Sequence, residues 1–372
     1  MKVLFLLPYP LNSAPSQRFR FEQYFRYLDK IGAEYKVQSF LAEKAWEVLY
    51  KKGNIWQKFW GVLRGFLGRD WQMLNLTPFD LVFIHREAAP IGPPLYEWWI
   101  AKVWKKKIIY DFDDAIWLPN TSDENSLVAE LKWHSKVANI CKWAWKVSAG
   151  NAYLANYARS YNDNVVVMPT TIDLGYHNSS SSGSGLPAGV HGKKEGSGLK
   201  DLVIGWTGTH STLPYLDLVF NTLDILSSKL NFQFLIISNQ PPNKQLANGS
   251  WQLWQKETEI ENLNKIDIGI MPMPDDQWTR GKCGFKALQF MALGKPVVAS
   301  PVGVNTEIIE DGKNGFLANS EDEWIDKLLR LIEDPELRES LGKAGRQTVL
   351  ERYSVEANKG KFLGLFGLES GN

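Results

Sequence analysis

Long apolar runs, cysteine and net charge are what this 372-residue chain has least of. A membrane-spanning helix needs about 18 or more apolar residues in succession, and no such run occurs, so none is expected to cross a bilayer. The two cysteines, Cys141 and Cys283, cannot build a disulfide framework and lack metal-ligand spacing, which points to a reducing cytoplasm. A net charge of +1 gives no broad field for nucleic acid, so any anion site must be local. The opening MKVLFLLPYPL loses its apolar character at Pro8, too early for a secretory signal, and reads as a first buried strand.

What is present is an alternation of short apolar runs and longer helical patterns. VLFLL (3–7), DLVFI (80–84), KIIYDF (107–112), KVSAG (146–150) and VVVMP (165–169) read as buried parallel strands separated by helices. SQRFRFEQYFRYLDKIG, ending at Gly32, reads as the first of those helices. After a Ser/Gly-rich stretch at 175–200, which cannot bury apolar surface, the alternation restarts. LVIGW (202–206), a helix near 215–230, FQFLIIS (232–238), DIGIMP (267–272), a helix at 284–293, PVVAS (296–300) and NGFLA (314–318) follow. The expected organisation is a Rossmann-like domain over 1–174, a linker or insertion at 175–200, a second Rossmann-like domain over 201–350, and a helix and tail at 351–372. The amphipathic closing helices are expected to pack on the second domain or cross back to the first. Ligands of open α/β sheets sit at the strand C-termini, here on two walls of an expected cleft.

The turn WTRGKCGFK (278–286) places Arg280 and Lys282 among glycines where a helix begins. Helix N-terminal amides and the close approach that Gly281 and Gly284 permit suit a phosphate. Gln289 would reach a hydroxyl-bearing group beside it. The alternative is a basic surface turn capping an amphipathic helix, and the turn by itself does not decide between the two.

The block GFKALQFMALGKPVVASPVGVNTEIIEDGKNGFLA (284–318) resembles the donor-binding core of the family-4 retaining glycosyltransferases, which have the GT-B fold. KVLFLLPYP and VVVMPTTID (165–173) are a weaker N-terminal match. The resemblance implies transfer of a sugar from a nucleotide-diphosphate sugar, held by the C-terminal domain, to a glycan, lipid-linked or small-molecule acceptor held by the N-terminal domain. Retention at the anomeric carbon is implied, without a metal and with no cofactor beyond the donor. Two family glutamates eight positions apart fall at Gly281 and Gln289, making this a divergent branch. The family's cations of the preceding loop are missing from LVIGWTGTHST. Arg280 and Lys282 are therefore expected to neutralise the diphosphate and assist its departure, with Cys283, Phe285 and Lys286 beside them and Thr207, Gly208 and Thr209 lining the cleft.

Three further features carry charge at strand ends. YDFDDAIW holds Asp111, Asp113 and Asp114; a metal, sugar hydroxyls, or a helix cap with a structural salt bridge would each suit them. Sugar or acceptor contact ranks first, and a family histidine near the transferred sugar corresponds to Asp113, which with Asp114 is expected to be catalytic. IHREAAP offers His85, Arg86 and Glu87 either to the acceptor or to one another. Arg18 and Arg20, in the first strand-to-helix turn, suit an anionic acceptor or the donor's distal phosphate, or else begin a solvated helix.

The chain also has 16 tryptophans. Many lie beside Lys or Arg in 45–74 and 96–107, where amphipathic helices would either rest on a membrane interface or pack on the core. Core packing is the leading expectation for 96–107. Peripheral attachment to the cytoplasmic face of a membrane is the alternative to a purely cytoplasmic location. Two other functions are consistent with the sequence: a catalytically weak nucleotide-sugar-binding subunit, suggested by Gly281, and a sugar-nucleotide epimerase.

Overall fold

The computed structural model describes residues 1–49, 53–119, 133–177, 202–244 and 246–368. Most of the Ser/Gly-rich stretch, 178–200, lies outside the described residues. The apolar runs pair as two all-parallel six-stranded sheets. The first holds β1 (Lys2–Leu7), β2 (Glu34–Ser39), β3 (Leu81–His85), β4 (Lys107–Phe112), β5 (Lys146–Ala149) and β6 (Val165–Val167), in the order β2-β1-β3-β4-β5-β6. The second holds β7 (Leu202–Gly208), β8 (Phe232–Ser238), β9 (Gly249–Leu253), β10 (Ile268–Met271), β11 (Val297–Ala299) and β12 (Phe316–Leu317), in the order β12-β11-β10-β7-β8-β9. Continuous apolar sequence suits the central strands because both of their faces are covered.

Helices relevant to the sites are α1 (Ile55–Leu74), α2 (Leu95–Trp98, continued by a wider turn over Trp99–Val103), α3 (Ala152–Arg159), α4 (Phe285–Ala292) and α5 (Val355–Leu365). The expected helix at 16–32 is broken into Pro15–Arg18, a 3-10 turn at Glu22–Tyr24 and Phe25–Lys30. Phe19 and Phe21, between the pieces, are buried. The expected helix at 215–230 begins as a 3-10 stretch, His210–Leu218, containing Pro214, and becomes α-helical only over Phe220–Ser227.

Two compact units follow. One comprises Met1–Thr171, the short segment Arg280–Cys283 and the residues from Asn358 on; the other comprises Ile172–Thr279 and Gly284–Ala357. In the first, Phe5 contacts Phe21, Phe83 and Phe366, and Tyr24 stacks on Phe362 with ring centroids 4.4 Å apart. The second is built on Ile204, Trp206, Phe234, Ile236, Ile268 and Ile270. Trp324, Leu328, Leu331 and Leu341 of the closing helices pack against them.

Helix α1 packs Val62 and Phe66 on Phe40, Leu41 and Ala89 but is apolar on its outer face as well. Its inner face carries Gly61 and Gly65, where a Cβ would come within 2.6 Å of Ala45 and Phe40. Beside them is buried Arg69, which donates to the carbonyls of Leu7, Gln38 and Ala88. Its outer face carries Trp56, Trp60, Leu67, Trp71 and Leu74, all exposed. Trp98, Trp99 and Val103 are also exposed, so 96–107 does not simply pack on the core as expected.

Candidate functional site

In the first unit, the ends of β3 and β4 bring together charges that are remote in sequence. Arg20 Nη2 donates to Asp111 Oδ1 at 2.5 Å, and its Nη1 donates to the Met168 carbonyl. Ser148 Oγ donates to Asp111 Oδ1 at 2.6 Å. An ionised carboxylate can only accept, so His85 Nδ1 donates to Asp111 Oδ2, at 2.8 Å. Burial alone would raise the Asp111 pKa, but the Arg20 guanidinium and His85 hold it far below the usual carboxylate range. Arg20 and Asp111 have side-chain exposures of 1% and 3%. Arg20 and Asp111, expected from the sequence to face the acceptor, are buried and paired with each other.

A second charge group lies nearer the surface. Arg86 has φ +61°, a left-handed conformation rare for a residue with a Cβ. Its backbone is held by an N–H bond to the Asp111 carbonyl and by Tyr110 Oη, which donates to the Arg86 carbonyl. Its guanidinium reaches Asp113 Oδ1 at 2.8 Å and Asp114 Oδ2 at 2.6 Å. Lys282 Nζ donates to Asp114 Oδ1 at 2.8 Å. Burial would raise the Asp114 pKa, but Lys282 and Arg86 outweigh it and lower it. Lys282, set on the donor diphosphate by the sequence, is thus placed on Asp114. Among the described residues no cluster of acidic, His or Cys side chains is arranged to hold a metal. Glu87 pairs with Lys136 at 2.6 Å, and Arg18 lies over the Phe19 ring.

The segment Arg280–Cys283 is held there by several contacts. Asn151, the cap of α3, donates Nδ2 to the carbonyls of Gly281 (3.1 Å) and Lys282 (2.9 Å). Cys283 Sγ donates to the Asp113 carbonyl at 3.2 Å, and burial pushes its thiol pKa up. A Cβ at Gly281 would lie 2.9 Å from Ala115 N and 2.8 Å from Ala115 Cβ. A side chain at this position would press on the Ala115 backbone.

In the second unit, Thr207 and Gly208 end β7. Thr209 caps the following turn through reciprocal bonds with Thr212. His210 N donates to Asn239 Oδ1 at 2.7 Å, tying the ends of β7 and β8. Lys286 Nζ donates to Thr212 Oγ1 at 3.1 Å and sits over the Trp206 ring, 4.7 Å from its centroid. Lys286 lies in the first turn of α4, whose cap, Gly284, has φ +67°. A Cβ there would meet Ile308 Cδ1 at 2.3 Å, so only glycine fits. This turn therefore combines helix-start amides, hydroxyls and one ammonium, a set suited to phosphate oxygens.

Gln289, one turn along α4 from Phe285, is buried. Its Nε2 donates to Glu259 Oε1 at 3.3 Å and lies 3.5 Å from His177 Nε2. Glu259 also accepts from Tyr176 Oη and Trp254 Nε1. A glutamate at 289 would set two buried carboxylates against each other, whereas glutamine supplies the donor Glu259 needs. Glu259, His177 and Asn151 carry no local sequence signal; only the folded chain assembles them.

Residues 201–334 match the family described as Glycosyl transferases group 1. An uncharacterised glycosyltransferase of Methanocaldococcus jannaschii is 44% identical over 66 residues, 17% of this chain and 19% of that relative. The match thus spans about a fifth of the relative's length. Sucrose-phosphate synthase from Thermosynechococcus elongatus superposes with a TM-score of 0.65 at 13% identity, covering 99% of this chain and 98% of that one. Anabaena HepE, solved with UDP and glucose, gives 0.64 at 14% identity and covers 99% of both chains. These whole-chain likenesses establish the GT-B fold.

Proposed function

We propose that this chain, whose residues 201–334 match the group 1 glycosyl transferases and whose two sheets make the GT-B fold, moves a sugar from a nucleotide-diphosphate sugar to a glycan or lipid-linked acceptor, with retention. The observation that carries this reading is the coincidence of the family match with the phosphate-suited turn of Thr207–Thr209, Gly284 and Lys286. UDP-sugars are the first donors to test, because HepE was solved with UDP and glucose.

The reading gives the turn residues a chemical role. Charge developing on the departing diphosphate is stabilised by preorganised donors; the α4 amides and Lys286, held against Trp206, supply them. Asp113 and Asp114, restrained by Arg86 and Lys282, contribute to the acceptor side through the shape and charge of the β4 end rather than as open carboxylates. The Trp/Lys-rich helices of the first unit rest on a membrane when the acceptor is lipid-linked. Among the described residues no helix is long and apolar enough to cross one.

Release of UDP from UDP-sugars in the presence of soluble and lipid-linked acceptors tests the proposal. Acceptor-dependent UDP formation supports it. Absence of binding to UDP-, GDP- and ADP-sugars by calorimetry overturns it. Gly281 favours a second reading, a nucleotide-sugar-binding subunit, because it stands where the resembled family has a glutamate; tight donor binding without turnover across acceptors would support that reading.

A further inference from the structure

A groove of about 710 Å³ runs between α1 and α2, lined chiefly by Phe66, Met73, Leu74, Ile91, Leu95 and Trp99. It falls in the size range of ligand sites, roughly 300–1,000 Å³, and lies wholly within the first unit. The two helices are fixed to each other: Trp104 Nε1 donates to the Met73 carbonyl at 2.8 Å, and Tyr96 Oη donates to Asp70 Oδ1 at 2.7 Å. That second bond engages the groove's one carboxylate, so the remaining wall is almost entirely hydrocarbon and aromatic ring.

The surroundings of the groove identify its occupant. The outer stripe of α1 (Trp56, Trp60, Leu67, Trp71 and Leu74) repeats at helical spacing and is exposed, continuing past the groove to Leu95, Trp98 and Trp99. Soluble proteins seldom leave so large an apolar surface uncovered without an interaction to cover it. Exposed Arg64, Lys102 and Lys105 lie on or just beyond the same helices. Tryptophan with flanking cations is the composition of a bilayer interface, where rings sit at headgroup depth and cations face anionic lipid.

We propose that the α1–α2 groove binds the hydrocarbon chain of a lipid drawn from an anionic membrane on which the Trp stripe rests. The site deepens the sugar-transfer reading by giving a lipid-linked acceptor a place for its tail, and rests on that reading only for the acceptor's identity.

The test uses the full chain, monomeric dansyl-labelled undecanoic acid as the groove probe, and phosphatidylglycerol/phosphatidylcholine vesicles as the membrane probe. Saturable fluorescence enhancement is expected with wild type. Leu95→Asp, at an exposed lining position where folding is little burdened, should weaken probe binding at least tenfold, and Ile91→Trp should do the same by filling the groove. Trp56→Glu with Trp60→Glu, outside the lining, should abolish vesicle co-sedimentation and leave probe binding intact. Unchanged probe affinity in both groove variants, with circular dichroism showing them folded, overturns the proposal. Concentration-dependent dimerisation in light scattering, abolished by the Trp substitutions with no vesicle binding in wild type, also overturns it by assigning the face to a second copy. UDP calorimetry on the same variants separates the two readings: intact UDP binding with no chain binding defeats the groove alone, and the reverse defeats only the donor assignment.

Discussion

The charge cluster at the ends of β3 and β4 and the turn at the start of α4 are both charged motifs at strand or helix ends, yet they are built oppositely. In the first, every carboxylate of the YDFDD run meets a cation from elsewhere: Asp111 meets Arg20, 91 residues away, and Asp114 meets Lys282, 168 away. In the second, the cap, the lysine and the neighbouring amides follow one another within a few residues. A run of charges in sequence therefore reveals little about whether those charges are available. The first cluster uses them internally, whereas the second keeps polar groups at a half-buried surface.

The comparison is broken most forcefully at Asp111. Asp111→Ala leaves Arg20 buried without its counter-ion, and breaking a buried pair in this way costs about 3–5 kcal/mol; urea denaturation should show the loss. Acid should reproduce part of it. The Asp111 and Asp114 pKa values are depressed in the folded state relative to an unfolded value of about 3.9. The stabilisation is thus fully present above that value and drains away as pH falls through the folded values. Asp111→Asn should flatten this acid limb.

Gln289→Glu comes next. Opposing Glu259 across the 3.3 Å contact should destabilise the second unit by about 1–3 kcal/mol. Glu259→Gln in the same chain should restore most of it, a coupling that a double-mutant cycle in thermal melts would read. Gly281→Glu should cost about 1–3 kcal/mol through overpacking on Ala115, read in the same melts. Lys286→Ala should move stability least, within about 0.5 kcal/mol. It should nonetheless weaken UDP binding about tenfold, a difference of about 1.4 kcal/mol in calorimetry. Equal stability losses at Lys286 and Asp111 would erase the distinction between the two regions.

The alternation of strands and helices was legible because central parallel strands must be apolar on both faces. Two of the four edge strands escaped for the same reason, whereas the edge strands β6 and β12 kept an apolar run. β2, EYKVQS, mixes charged and half-buried positions, and β9, GSWQL, is partly exposed along its length. Gly284 and Lys286 are neighbours in sequence, but Thr212, Trp206 and Ile308, which surround them, are brought in by the fold. The partners of Lys282, Arg20 and Asp111 were not legible, because sheet topology brings them in over separations no periodicity records. Helix α1 was visible as Trp-rich and basic, but which face turned inward depended on Gly61 and Gly65 meeting Ala45 and Phe40.

Phe362 and Phe366, near the end of the chain, stack on Tyr24 and contact Phe5, near its beginning. The first sheet can pair its strands without α5, but its aromatic core stays open on one side until that helix packs on it. Exposed apolar surface on such intermediates invites aggregation. Detachment of α5 would thus leave the strands paired and the N-terminal core unsealed, a form that chaperones and proteases can recognise as unfinished.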